Sequence, residues 1–393
     1  MMGPERSGQA TGHPPLDSHW PQQLPVAWNA DIGSGYAGPA IVGEQVLLLH
    51  RIDQEEILEA FNLKDGLSLW RAAWPASYRS SIDSDSGPRC VPTVTGHVAL
   101  CYGAAGDMAA VDIRDGTLLW KRALRSEYKA DDGYFGAGSA PLAIGDLIVV
   151  CLGGKDAGIV ALDLASGKTR WAATDYDASY TAPVAVDAQT ALVVTRLKTV
   201  LIDLTDGRIM SEIPFGSRGP TVNAATPIPL GDGRFLLTAS YGVGSSLLAI
   251  KDRQIETLWS GSELLSSQYN TPVLAAGRVI GIDGREDVGV ASLRAIDFEH
   301  QEVIWDQPGF STAHLIAIGD QVLALSKAGQ LTLIDARLNS YRPLAQVALP
   351  TGAYRAPPAL SAGQLVVRDS LATGKSGRVL CFKLPLVAKI GEQ

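Results

Sequence analysis

Residues Ala161 to Trp171 read ALDLASGKTRW, and residues Ala110 to Trp120 read AVDIRDGTLLW. Each holds a small and apolar pair, Asp, an apolar residue, two variable residues, Gly and then, four positions on, Trp. AFNLKDGLSLW (Ala60 to Trp70) is a near copy. Weaker copies are LIDLTDGRIM (Leu201 to Met210), LAIKDRQIETLW (Leu248 to Trp259), AIDFEHQEVIW (Ala295 to Trp305) and LIDARLNSYRPL (Leu333 to Leu344). Together with Trp28, the Trp-type positions 28, 70, 120, 171, 210, 259, 305 and 344 recur about every 45 residues, the length of one propeller blade. The phrase reads as strand, turn, strand. Its Asp accepts hydrogen bonds from turn amides, and its Gly supplies the positive φ of a short hairpin loop. The Trp opens the outermost strand and wedges between neighbouring blades, contributing at most ~4–6 kcal/mol by burial.

The other half of each unit is equally legible. A small residue, Thr, Val or Pro and then Pro begins an apolar strand at Gly38-Pro39, Val91-Pro92, Ala140-Pro141, Ala182-Pro183, Thr226-Pro227, Thr271-Pro272 and Pro357-Pro358; Ala313-His314 is the copy without Pro. Proline is tolerated at a strand's first residue because no ladder bond is lost there. Tight turns such as Gly43-Glu44, Gly145-Asp146, Gly277-Arg278 and Gly319-Asp320 lead into a second strand. Four strands per unit and eight units result. The order is offset, however: Trp28 precedes the first Pro-type start, and the last start has no Trp after it. The segment Pro25 to Ala30 is therefore expected to close the ring as the outer strand of the last blade, which removes an exposed sheet edge. The expectation is an all-β, eight-bladed propeller of four-stranded antiparallel blades over residues 22–386. A disordered polar tail precedes it over 1–21, a carboxy-terminal tail follows over 387–393, and no helix is required.

Composition fits this. The chain has 393 residues, 46% hydrophobic, with 41 Gly and 22 Pro to build turns. A net charge of −8 disfavours nucleic acid and anionic membrane. No apolar run reaches the ~18 residues of a membrane helix, and a monomer is expected. The first twenty residues lack the apolar core of a signal peptide. That points to the cytoplasm, or to the periplasm and cell envelope if the true start lies upstream. Cys90, Cys101, Cys151 and Cys381 are isolated, and buried free thiols are expected.

The repeated phrase resembles the A-x-D-x-x-[ST]-G-x-x-x-W motif of the pyrroloquinoline-quinone-like propeller repeats, of which Ala161 to Trp171 is almost a consensus copy. The resemblance covers residues 22 to 386. Bacterial propellers of unassigned role, common in planctomycete-type genomes, share the stretches NAATP (Asn223 to Pro227) and SYGVGS (Ser240 to Ser245). In one branch of the family, the quinoprotein alcohol dehydrogenases, the resemblance implies a quinone and calcium at the ring's centre against a disulfide of adjacent cysteines. No two cysteines here are adjacent. A second branch, the propeller lipoprotein of the outer-membrane barrel-assembly machinery, implies an amino-terminal lipid-bearing Cys, whereas the first Cys here is Cys90.

Loops leading into the first strands share one face with loops joining second and third strands. The first set is aromatic and polar. Tyr36, Arg89, Tyr180 and Tyr269 each lie three residues before a strand-initiating Pro, with Phe135, Asn223, Phe310, Tyr354 and Arg355 nearby. Such side chains converging on a funnel suit a ligand or peptide; the competing reading is that the rings plug the channel and pack the blade tops. The second set adds Tyr241, Lys155 and Asp156, Arg196 and Lys198, and the pair Glu286 and Asp287. YGVGSS contains GxG, but a strand rather than a helix follows it, which argues against a dinucleotide. Asp83 and Asp85 in DSDSG begin like a calcium loop, yet Val94 stands where the closing Glu belongs, so a solvated turn is expected. His314, in a Pro-equivalent place on the funnel face, is the histidine to watch. The six histidines show no zinc spacing, and no nucleophile elbow, CxxC or Walker sequence occurs. The reading is a noncatalytic propeller without cofactor, presenting its funnel face to a protein or small-molecule partner. The alternative is an oxidoreductase dependent on pyrroloquinoline quinone with calcium.

Overall fold

The computed structural model of the chain describes residues 3, 5–131, 133–219, 221–370 and 376–387. They form eight four-stranded antiparallel sheets, one per repeat. Blades 1 to 7 span residues 40–75, 93–122, 142–173, 184–214, 228–261, 273–308 and 313–348; blade 8 takes 359–383 and receives its outer strand, Val26–Ile32, from the amino-terminal end. Trp28 stands opposite Cys381 and Ala30 opposite Val379 in that pairing. The ring closes as the offset repeat requires. One helical turn, Leu124–Glu127, follows blade 2, a detail no repeat arithmetic could contain.

The repeated phrase works as its chemistry predicts. The Asp163 carboxylate accepts from the Ser166 amide at 2.8 Å, Asp112 from Arg114 at 2.9 Å, and Asp203 from Thr205 at 2.9 Å. Gly66, Gly116, Gly167 and Gly207 all have positive φ. A second duty emerges only in three dimensions. Each glycine is the seat for the preceding blade's indole: a Cβ on Gly167 would lie 2.6 Å from the Trp120 ring, and one on Gly207 2.6 Å from Trp171. The indole N–H then donates to the turn carbonyl beside that seat, as in Trp120 to Leu164 at 3.0 Å and Trp171 to Leu204 at 2.9 Å. In every blade the outer pairing slips register beside the Trp-type residue, between Ala161 and Leu162 in blade 3 for example. Such a bulge turns the strand and re-aims the side chain.

The closing seam between blades 8 and 1 carries extra polar pins. Trp28 donates to the Leu63 carbonyl at 2.7 Å. Arg368, 1% exposed, donates to the carbonyls of Ala37 and Leu49 at 3.0 Å each and of Gly33 at 2.9 Å. Buried His50 accepts the Gly33 amide at Nδ1, so its Nε2 carries the proton and donates to Glu59 at 3.1 Å. All four cysteines are free and buried.

The described part of residues 1–21, expected as a disordered tail, is instead a strap across the ring's turn face, the face opposite the loops that lead into the first strands. Leu16 is 1% exposed in the core shared by blades 7 and 8. The Gln321 side chain brackets it, accepting the Leu16 amide at 2.8 Å and donating to the Leu16 carbonyl at 2.9 Å. The segment is polar in composition, but its main chain finds partners on strand ends that would otherwise face water. Of the expected carboxy-terminal tail, Val387 donates to the Pro15 carbonyl at 3.1 Å; residues 388–393 lie outside the described residues. No helix among the described residues is long and apolar enough to cross a membrane.

Candidate functional site

Loops leading into blades 1, 2, 6 and 8 and turns of blades 6 and 7 meet over the funnel in one connected polar network. The Tyr36 hydroxyl reaches both carboxylate oxygens of Asp83 at 3.1 Å. Arg355 stands 3.9 Å from Asp83 and donates to Glu286 at 2.6 Å. Lys327 donates to the same Glu286 oxygen, and the Tyr269 hydroxyl donates to the other at 2.5 Å. Two guanidinium groups flank the Tyr36 ring, Arg89 at 4.9 Å and Arg355 at 5.5 Å from its centroid. Arg89 is in turn fixed by the Asp85 carboxylate at 3.2 Å and by the carbonyls of Asp85 and Gly87 at 2.6 and 2.7 Å.

Electrostatics follow from these contacts. Burial, then the charges of Asp83 and Asp85, push the Tyr36 hydroxyl up to about 12. Burial and then Glu286 raise Tyr269. Burial alone would raise Glu286, but hydrogen bonds from Lys327 and Tyr269 and the charge of Arg355 hold it below the usual carboxylate range. The mouth therefore sets carboxylates against guanidinium and ammonium groups, with two phenols whose pKa values are raised.

Below the network a cavity of about 620 Å³ lies on the ring axis, lined by first-strand residues including Thr93 and Thr95, by Tyr269, Thr271 and His314, and by Arg6 of the strap. His314 packs 6.0 Å from the Tyr269 ring and shares a hydrogen bond with the Arg355 carbonyl at 2.8 Å. Burial lowers its pKa.

Of the residues singled out in the sequence, Tyr36, Asp83, Arg89, Tyr269, Glu286, His314 and Arg355 come together. Tyr241 is attached at the periphery: Gln268 donates to its hydroxyl at 2.9 Å and accepts the Glu286 amide at 2.8 Å. Phe135, Tyr180, Asn223 and Tyr354 lie elsewhere. The Tyr180 hydroxyl accepts the Phe135 amide at 2.8 Å, and their rings meet edge to face beside a separate cavity of about 150 Å³. Asn223 is buried, donating to the carbonyls of Thr195 and Arg196 at 3.0 Å each. Tyr354 is 1% exposed with its hydroxyl on the Pro350 carbonyl at 2.7 Å. These are packing and loop-fixing residues. The DSDSG stretch is no solvated turn: Asp85 is 3% exposed and accepts the amides of Gly35 and Gly87 at 2.7 Å each. Lys327 went unnoticed, although its place in a second-to-third-strand turn was the available signal.

Among the described residues no group of three or more His, Cys, Asp or Glu is placed to hold a metal ion. The carboxylates at the mouth are occupied by Arg, Lys, Tyr and backbone amides, and the thiols lie in or beside strands rather than paired under the funnel.

Fold and repeats together define an eight-bladed β-propeller whose repeated phrase is similar to the pyrroloquinoline-quinone-like repeats. More particularly, residues 20–211 match the family described as outer membrane protein assembly factor BamB. BamB from Moraxella catarrhalis is similar in structure, with a TM-score of 0.65 and 17% identity over 91% of this chain and 100% of that one. A europium-containing methanol dehydrogenase has a TM-score of 0.73 and 10% identity over 97% and 96%. The carboxy-terminal WD40 domain of Sif2 has 0.59 and 10% over 92% and 99%. At such identities the likeness is one of fold. No curated protein matches the chain in sequence.

Proposed function

We propose that this protein is a noncatalytic propeller that binds a partner protein through its funnel face. The observation that carries the reading is the network Asp83–Arg355–Glu286–Lys327, with Tyr36, Tyr269 and Arg89 braced against it. Acids and bases so fully engaged with one another are poorly placed to shuttle a proton or activate a nucleophile. They are well suited to present a rigid, pre-organised surface of aromatic and Arg anchors, which costs little ordering on binding. A propeller described as an assembly factor is a precedent for this use, and fold alone decides nothing.

The test pairs two measurements. Chemical crosslinking in native extract should recover the same partner with the wild type and with a rim variant remote from the funnel, and lose it with Glu286→Ala. That substitution should cost only ~1 kcal/mol in stability, because Arg355 and Lys327 remain partly solvated. Equal recovery with Glu286→Ala would sink the reading. Separately, pyrroloquinoline quinone with calcium should leave the melting temperature unchanged; a saturable rise would instead favour the oxidoreductase alternative.

A further inference from the structure

The amino-terminal strap is held in two different ways along its length. At Leu16 it is anchored by a buried side chain in the core. From Gly8 to Ala10 it is held through its main chain, running parallel to the inner edge of blade 7. The Ala317 amide donates to the Gly8 carbonyl at 2.9 Å, and the Ala10 amide donates to the Ala317 carbonyl at 2.8 Å. That edge is long enough to accept a strand. The first strand of blade 7, Ala313–Ile318, has six residues, whereas those of the other blades have two to four. Deeper in the channel Arg6, 4% exposed, donates to the Pro141 carbonyl of blade 3, and Gln9 reaches the Leu274 carbonyl of blade 6 at 3.4 Å.

Residues 5–10 carry no apolar side chain larger than the methyl of Ala10. Main-chain pairing and polar contacts to carbonyls hold them, and of their side chains only the small Ala10 methyl packs against the core that fixes Leu16. Segments with so little buried apolar surface open at low free energy while the rest of the fold stays intact. Gly12, with a φ of +73° and open space around it, lies between the two parts and gives them a joint.

We propose that the channel mouth at the Ala317 edge of blade 7 is a docking site for a small-residue-rich peptide that pairs with that edge over a short extended stretch and turns an arginine into the channel, and that residues 5–10 are the chain's own occupant of it, with Arg6 in a turn at a φ of +56°. The incoming segment adds as a strand to the blade 7 edge, the mode in which main-chain hydrogen bonds give affinity and a side-chain pocket gives selectivity. The pocket is the axial cavity that now receives Arg6. Because Leu16 tethers the resident segment, its effective concentration at the site is of ~mM order, and a partner must exceed that to displace it. The site opens on the face opposite the polar network, and its cavity reaches up to Tyr269 and His314 beneath that network, but the proposal does not rest on the reading of the funnel.

The experiment uses the full chain and a fluorescein-labelled peptide of residues 3–14 as probe. Hydrogen exchange of the stretch Ala313–Ile318 reports whether the edge is covered. In the variant Arg6→Ala with Ala10→Pro, which removes the Ala10 donor, exchange there should rise about tenfold or more, and the peptide should bind one to one and restore protection. The wild type should bind it about tenfold more weakly or not at all, and a probe carrying Arg6→Ala should lose most of its affinity. Ala10→Pro alone serves if the double variant is unstable. The proposal is overturned if the edge opens yet the peptide neither binds nor restores protection, or if the edge stays protected when the strap is broken. Crosslinking at the funnel would be unaffected by either result, so the two readings stand or fall separately.

Discussion

Glu56 shows how much a single buried carboxylate can decide. It is fully buried in blade 1, and it accepts the Ala104 amide at 2.9 Å and the Trp74 indole at 3.3 Å, tying blade 1 to a turn of blade 2. Burial raises its pKa despite these bonds. Neighbouring Gly103 is glycine for reasons of space: a Cβ there would lie 1.8 Å from a Glu56 oxygen. Gly103→Ala must therefore displace a carboxylate that has nowhere else to be solvated. Overpacking together with broken hydrogen bonds should cost about 2–5 kcal/mol in urea unfolding. A change within experimental error would mean that Glu56 can leave freely.

At the scale of the element, the recurring unit is a joint between blades as much as a hairpin. Seat and indole belong to consecutive repeats, so their energies should be coupled. Trp120→Ala removes the ring and should cost ~3 kcal/mol or more. Gly167→Ala should cost ~2 kcal/mol or more in the wild type, from positive φ and from the clash with the ring. In the Trp120→Ala background only the backbone term of about 1 kcal/mol remains, giving a coupling of ~1 kcal/mol or more in a double-mutant cycle. Strict additivity would show that the ring does not rest on the glycine. The seam of blades 8 and 1 behaves differently, since no covalent turn links its outer strand to the third strand. Arg368→Met should strand three carbonyls at once and cost ~3 kcal/mol or more, read as a fall in thermal midpoint.

For the whole molecule, stability is linked to pH through His50 at the closing seam and His314 beneath the funnel. Burial lowers both pKa values, in His50 against the opposing pull of Glu59. Protonating His50 would also set an N–H against the Gly33 amide that Nδ1 now accepts. With the folded value below the unfolded value of about 6.5, the unfolded state binds protons first as pH falls. The stability due to these residues is complete above about pH 6.5 and is lost as pH drops below it. The melting temperature should decline between pH 7.5 and 5.5, and His50→Gln should flatten that decline; an unchanged slope would exonerate the seam.

The sequence by itself determined the number of blades, their internal order and the place of ring closure, because each depends on a pattern repeated along the chain: Asp for the turn, Gly for positive φ, a bulky apolar residue at the Trp position. A periodic signal survives the loss of any one copy, which is why Met210 and Leu344 did not obscure it. Tertiary structure alone decided the rest. Tyr180 and Tyr354 have the same local setting as Tyr36 and Tyr269, and only the loops that fold over each ring make two of them packing and two of them rim. Lys327 and Glu286 lie 41 residues apart and Asp83 is far from both, so no spacing could announce their network. The strap was equally hidden: a polar, glycine-rich stretch looks unfoldable on its own, and it is ordered by carbonyls and amides that exist only once blade 7 has an inner edge.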